Sequence, residues 1–176
     1  MSRYGDDHDG EDFPNQAALW EASYQRALKG RRGRETLADL REALTALPDK
    51  RLIGSALCTV GADKRREEIG RWGRQEFTWL IEEQGEGVCA IGAYLWHKQV
   101  KAGADPARAF ASLPTLLDTD SDLWETAALA RDAGVAITLA WRLAYRNDET
   151  FGGMTPEERY AAFIAWIDRE LAGDAA

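Results

Sequence analysis

The stretch Thr155-Pro-Glu-Glu-Arg-Tyr-Ala-Ala-Phe-Ile-Ala-Trp-Ile-Asp-Arg-Glu-Leu171 decides the fold class of this chain. Thr155 is suited to cap a helix, Pro156 to take its first position, and Glu158 to return a hydrogen bond to the cap, which together make a capping box. The apolar residues that follow share one helical face: Tyr160, Phe163, Ile164, Ile167 and Leu171. The pattern predicts an amphipathic helix over 155–171.

Apolar residues at helical spacing recur along the chain. The run 51–60 is too short to assign by periodicity, and we interpret it as a short strand or an extended piece. No repeated alternation of strands and helices is found, so the sequence predicts an all-α or mainly α single-domain bundle of about seven or eight helices. Further helices are predicted at 16–29, from Arg34 to Pro48, at about 74–84, at 88–101, from Asp105, from Asp122 to near Gly134, and at 136–147.

Length and composition restrict the class of protein. The chain has 176 residues, of which 45% are hydrophobic, enough for one core over 13–172. Residues 1–12 hold five acids and one arginine with no apolar period, which predicts a flexible acidic tail. The N-terminus lacks the positive charge of a signal peptide, and no apolar run is long enough to span a bilayer. We expect a protein of the cytoplasm with no membrane partner.

The net charge of −8 is unevenly distributed. Five cations without an intervening acid form one local basic patch, which is either a solvated helix end or a contact for nucleic acid. The members of this patch are Arg26, Lys29, Arg31, Arg32 and Arg34.

Two cysteines and two histidines limit the available chemistry. Cys89 is predicted in the first turn of a helix, where the helix dipole can activate a thiol, but His97 lies about two turns further on, too far to be its base. A small buried thiol is the alternative that we favour. The spacing of Asp118, Asp120 and Asp122 starts like a calcium loop, but Leu123 replaces the required glycine. We therefore expect no metal and no cofactor.

Residues 126–146 match the spacing of a helix-turn-helix motif. Ala130, Gly134, Val135 and Leu143 fall at its fifth, ninth, tenth and eighteenth places. The alternative is an ordinary helical hairpin, because the second helix carries few side chains that read bases. The face predicted to point outward holds Thr138, Trp141, Arg142 and Tyr145, and the candidate DNA contacts are Arg32, Arg142 and Arg146.

Several short motifs together resemble a family of small proteins carried by phages and prophages. The most specific are Val88-Cys-Ala-Ile-Gly92 and Asn147-Asp-Glu149, the latter followed by Thr155-Pro-Glu-Glu-Arg and an aromatic helix. The likeness covers about residues 16–171, and the family brings no established activity. Relative to the family pattern, residues of about 59–86 form an insertion, where a tight turn is otherwise expected.

Asn147, Asp148 and Glu149 form a candidate polar site. We expect Asn147 to end its helix in a left-handed conformation and Asp148 to accept backbone hydrogen bonds in the turn. Lys50 and Arg51 are predicted to pair with these acids, which makes the cluster structural. A ligand site is the alternative.

Three functions follow from these observations. We favour a non-enzymatic phage or prophage accessory protein that binds a bacterial host protein, because Trp and Arg side chains are common interface anchors. The alternative is a helix-turn-helix DNA-binding regulator that uses 126–146. An enzyme that uses Cys89, or Asp148 with Glu149, ranks last. The residues predicted to bind the partner protein lie in the insertion: Trp72, Phe77, Trp79, Arg71 and Arg74.

Overall fold

The computed structural model describes residues 13–54, 58, 85–113, 128, 130–131 and 133–173. These residues are mainly helical, as predicted, and no strand is found among them beyond an isolated antiparallel bridge between Cys58 and Val88. The described helices are α1 (Phe13–Lys29), α2 (Arg31–Ala46), α3 (Ala90–Lys101), α4 (Pro106–Ser112), α5 (Ile137–Tyr145), a π-helical turn (Arg146–Thr150) and α6 (Pro156–Ala172).

The predicted helix count is too high for this part of the chain, which holds six α-helices rather than seven or eight. One predicted helix, 74–84, lies outside the described residues, and most of the helix from Asp122 does too. The tail 1–12 and nearly all of the insertion also lie outside them. Of the run 51–60, residues 51–53 lie in neither a helix nor a strand, and Cys58 forms the isolated bridge to Val88.

The corner between α1 and α2 corrects the predicted start of the second helix. The helix was predicted to start at Arg34, which makes Gly33 a break in the chain before it, but α2 begins at Arg31 and Gly33 lies in its first turn. The reason is close packing: a Cβ at Gly33 would lie 1.8 Å from the Ala27 carbonyl oxygen of α1. Glycine is therefore required at this position for the helices to approach each other.

Helix α2 is central to the bundle and packs against α1, α3 and α6. Its leucines at helical spacing are fully buried, and so is Leu47 just after its end. Helix α5 packs against α1 and α3, and α4 packs against α3. The sequence spacing thus identified the faces that form the core.

Helix α6 confirms the opening prediction. The Glu158 N–H donates to Thr155 Oγ1 at 3.3 Å, and the Thr155 N–H donates to Glu158 Oε2 at 2.9 Å, which completes the capping box. Phe163 and Ile167 have no exposed surface. Burial of this stripe fixes α6 against α2.

Candidate functional site

An extended segment between α2 and α3 connects three elements through its backbone. The Leu52 N–H donates to the first carbonyl of α6 at 3.0 Å, and the Ile53 N–H donates to the Val88 carbonyl at 3.1 Å. Both residues are fully buried, where an unpaired backbone group would be costly. We call the backbone of Leu52 and Ile53, with the side chains of Asn147 and Arg159, the polar junction.

Asn147 is the member of the predicted polar site that enters the junction. Its Nδ2 donates to the Ile53 carbonyl at 2.9 Å and to the Asp148 carboxylate at 2.7 Å, and its Oδ1 accepts from the Ala90 N–H at 3.3 Å. The side chain is 1% exposed. It therefore joins the π-helical turn, the extended segment and the start of α3.

The left-handed conformation predicted for Asn147 is wrong. Among the described residues other than glycine, only Lys50 has a positive φ. The helix instead widens into a π-helical turn, in which the Phe151 N–H donates to the Arg146 carbonyl at 3.0 Å. This wider turn keeps Asn147 right-handed and directs its side chain inward.

The three residues of the predicted polar site do not form one site. Asn147 is buried and Asp148 half-buried, whereas Glu149 is exposed to solvent. The basic residues predicted to pair with these acids have other partners. Arg51 Nε lies 2.7 Å from Glu157 Oε1, and Lys50 Nζ donates to the Leu47 carbonyl at 2.7 Å.

Arg159 is a site residue that the sequence analysis missed. Its side chain is buried, and Nη1 donates to the Leu52 carbonyl at 2.8 Å, with further bonds to the carbonyls of Phe151, Gly152 and Met154. A signal was present, because Arg159 lies four residues before Phe163 and so shares the buried face of α6. The buried guanidinium binds carbonyl oxygens of the loop before α6.

Cys89 caps the N-terminus of α3, and its environment disfavours a nucleophile. The Sγ atom accepts a hydrogen bond from the Gly92 N–H at 3.4 Å. Burial raises the pKa of the Cys89 thiol to about 12, and the Asp148 carboxylate adds to the rise. The thiol is therefore protonated at neutral pH, which agrees with the buried thiol that we favoured.

His97 lies in a different polar cluster, between α3 and α2. Its Nε2 is 3.6 Å from Glu42 Oε2, and Lys101 Nζ is 2.8 Å from the same oxygen and 3.2 Å from Asp39 Oδ1. The hydrogen bond from Lys101 lowers the pKa of Glu42. This cluster connects the two helices by ion pairs and holds no nucleophile.

The turn of the predicted helix-turn-helix motif has the expected local geometry. Gly134 adopts a φ of 94°, and the Val135 N–H donates to the Ala130 carbonyl at 3.0 Å before α5 begins. Ala130, Val135 and Leu143 are buried. The same features are found in an ordinary helical hairpin, so the turn alone does not indicate DNA binding.

Helices α1 and α5 meet along a row of aromatic rings. The ring centroids of Trp20 and Trp141 are 5.9 Å apart, and those of Trp141 and Tyr145 are 5.3 Å apart in a stacked arrangement. Tyr145 is 37% exposed, and Leu19 beside Trp20 is 66% exposed. We call Leu19, Trp20, Trp141 and Tyr145 the aromatic face.

The two arginines of α5 and the π-helical turn are engaged within the fold. Arg142 forms an ion pair with Glu21 and lies 5.2 Å from the centroid of the Tyr24 ring. Arg146 lies 4.5 Å from the centroid of the Trp166 ring, and its positive charge favours the ionised form of Tyr24. Burial nevertheless raises the pKa of Tyr24 overall. Of the three candidate DNA contacts, only Arg32 lies outside this cluster, exposed on α2.

The five residues predicted to bind the partner protein lie outside the described residues, and so does the acidic run 118–122. The bridge between Cys58 and Val88 does bring the two ends of the insertion together. The predicted residues are Trp72, Phe77, Trp79, Arg71 and Arg74.

Across the described ranges, no group of three or more His, Cys, Asp or Glu side chains is arranged to hold a metal ion. No described helix is both long and apolar enough to cross a membrane. Comparisons with protein-family models, with curated proteins and with solved structures returned no match. The site therefore has to be judged from its own geometry.

Proposed function

We propose that this chain is a non-enzymatic accessory protein of phage or prophage type that binds a bacterial host protein. The resemblance in sequence motifs suggests the phage origin and a partner in the bacterial cytoplasm. The aromatic face suggests the mode of action. We take this face, rather than the polar junction, as the functional surface. The polar side chains of the junction already form hydrogen bonds with the backbone of their own chain.

The observation that carries the proposal is the exposure of apolar side chains on the aromatic face. Leu19 and Tyr145 leave 66% and 37% of their surfaces in solvent, beside the half-buried rings of Trp20 and Trp141. Trp, Tyr and Arg are the residues most enriched in the energetic centres of protein interfaces. A partner that covers this surface would remove the exposed apolar area from water.

The aromatic face is also preorganised. Trp141 is held between Trp20 and Tyr145, and Arg142 is fixed by Glu21 and lies 5.9 Å from the Trp141 ring centroid. Side chains that are already ordered lose little conformational entropy when a partner binds. These rings therefore suit binding to a rigid surface of another protein.

The test is capture of a bacterial protein, followed by affinity measurement with the purified partner. Tagged protein is incubated with nuclease-treated bacterial lysate, and the captured protein is identified and purified. Leu19→Glu and Tyr145→Ser should each weaken its binding by about tenfold or more, the effect expected of an interface anchor. Met154→Ser is the matched control, because Met154 is 38% exposed but lies outside the aromatic face.

Two results would reject the proposal: failure to capture any protein, or equal affinity of all three variants.

A further variant, in which a short Gly-Ser linker replaces residues 61–85, tests the insertion. The Cys58–Val88 bridge makes a short linker sufficient to close the chain. If Trp72, Phe77 and Trp79 anchor the partner, this variant keeps a cooperative melt and loses binding.

The alternative of a DNA-binding regulator that reads bases with 126–146 is the weaker proposal. Arg142 would have to release Glu21 and Tyr24 before it reached a base, and α1 lies across the same side of α5. Loss of an ion pair and of a cation–π contact would reduce the affinity gained.

A further inference from the structure

The corner between α1 and α2 brings together cations from the end of one helix and the start of the next. The last turn of α1 contains Arg26 and Lys29, and α2 begins with Arg31 and Arg32 after the single linking residue Gly30. All four cationic side chains are exposed. The packing of Gly33 on the α1 carbonyls holds the two helix ends in this arrangement.

These four cations are paired differently from four other cations of the described chain. Arg41, Arg51, Lys101 and Arg142 each have a carboxylate partner at hydrogen-bonding distance. At the corner, Arg31 Nε is 3.9 Å from Glu35, both side chains being exposed, and no described acid pairs with the other three. Among the residues that the structure describes, the corner thus presents more positive than negative charge.

We propose that this corner binds the phosphate backbone of nucleic acid without reading its sequence. Three of the four exposed cations are arginines, whose planar guanidinium groups match phosphate oxygens in a bidentate manner. Between positions 26 and 34 there is no aromatic, amide or hydroxyl side chain that would read a base. The contacts are therefore electrostatic and restricted to the backbone.

The net charge of −8 does not prevent this contact. At physiological ionic strength, charges more than about 8 Å apart in solvent are largely screened from each other. A phosphate at the corner therefore responds mainly to the local cations. None of the four cations belongs to the aromatic face, so this proposal does not depend on the proposed function.

The test measures the affinity of the full chain for two labelled DNA duplexes of unrelated sequence at several salt concentrations, beginning near 50 mM. Four phosphate contacts predict a slope of log affinity against log salt of about −3 to −4. Arg32→Gln should reduce the magnitude of this slope by about 0.9, equally for both duplexes. Arg108→Gln is the control, because Arg108 is exposed on α4 and should leave binding unchanged.

The same experiment has outcomes that overturn the proposal. These are the absence of binding at the lowest salt, an equal effect of Arg32→Gln and Arg108→Gln, or tighter binding of poly-glutamate than of either duplex, which would assign the corner to acidic polypeptides. A cooperative thermal melt of Arg32→Gln at the wild-type temperature excludes misfolding. Tyr145→Ser should keep full affinity for DNA, which separates this surface from the aromatic face.

Discussion

Arg159 Nη1 donates to the Leu52 carbonyl at 2.8 Å, and the two residues are 107 positions apart in the chain. Leu52 is also bound through its own N–H to the first carbonyl of α6. Both backbone groups of one buried residue are thus satisfied by the start of the last helix. This relationship fixes the extended segment after α2, and with it the start of α3, to α6.

Removal of the Arg159 guanidinium should therefore destabilise the whole fold. Arg159→Met keeps most of the side-chain volume but leaves buried carbonyls without their donor, and we expect a loss of about 3 kcal/mol in the free energy of unfolding. The measurement is a urea melt. Arg169→Met on the exposed side of α6 is the control and should change stability by less than about 0.5 kcal/mol. Equal effects of the two substitutions would contradict the role of Arg159.

Asn147→Asp should destabilise the protein in a pH-dependent manner. The substitution replaces the amide that donates to the Ile53 carbonyl by an acceptor, beside the Asp148 carboxylate. Burial and the neighbouring charge would raise the pKa of the new carboxyl group, so the penalty grows as the pH rises through the usual range for aspartate. Denaturant melts should show a larger loss near pH 7 than near pH 4. Asn147→Ala, which introduces no charge, should show a loss that changes less with pH than that of Asn147→Asp.

The sequence predicted α6, most of α1–α3 and the buried faces of α2 and α6, because apolar spacing and capping residues are local signals. The polar junction was not predicted, because it depends on contacts between segments that are distant in the sequence. The motif Asn147-Asp-Glu149 was recognised as polar, but only the packing of Ile53 and Ala90 around Asn147 makes one of its residues structural. Arg159 was overlooked because an arginine side chain is usually exposed to solvent. Its carbonyl partners lie in the loop before α6 and at Leu52, which is distant in the sequence.

The corner between α1 and α2 also depends on a tertiary contact that local sequence signals do not show. Gly33 was predicted as a break because glycine disfavours helix interiors, a preference that a tertiary contact can override. Here the contact is the approach of the Ala27 carbonyl. The five-cation patch was visible in sequence, but the structure was needed to show that Arg26, Lys29, Arg31 and Arg32 are exposed, whereas Arg34 is half-buried and donates to the Leu171 carbonyl.

The apolar stripe of α6 should contribute strongly to stability. Phe163→Ala or Ile167→Ala removes a side chain with no exposed surface, and we expect a loss of about 2–5 kcal/mol from transfer and cavity effects. Ile164→Ala, at a half-buried position of the same helix, should cost less. Denaturant melts provide the measurement. A loss below about 0.5 kcal/mol for both Phe163→Ala and Ile167→Ala would contradict the burial of this stripe.

The Cys89 thiol should make the stability of the fold sensitive to alkaline pH. Burial raises its pKa to about 12 from a reference value of 9.0, so between these values the unfolded chain loses a proton that the folded chain keeps. The stabilisation is thus fully present below pH 9.0 and declines as the pH rises towards 12. Urea melts of the wild type and of Cys89→Ala should therefore differ by about 1 kcal/mol less near pH 10 than near pH 8.

Burial also raises the pKa of Tyr24 and Tyr94, so both proteins lose stability at high pH. The difference between the two proteins therefore reports the contribution of the Cys89 thiol alone. A difference that stays constant from pH 8 to pH 10, or rapid labelling of native Cys89 by a thiol reagent near pH 8, would show that this sulfur is accessible and ionised.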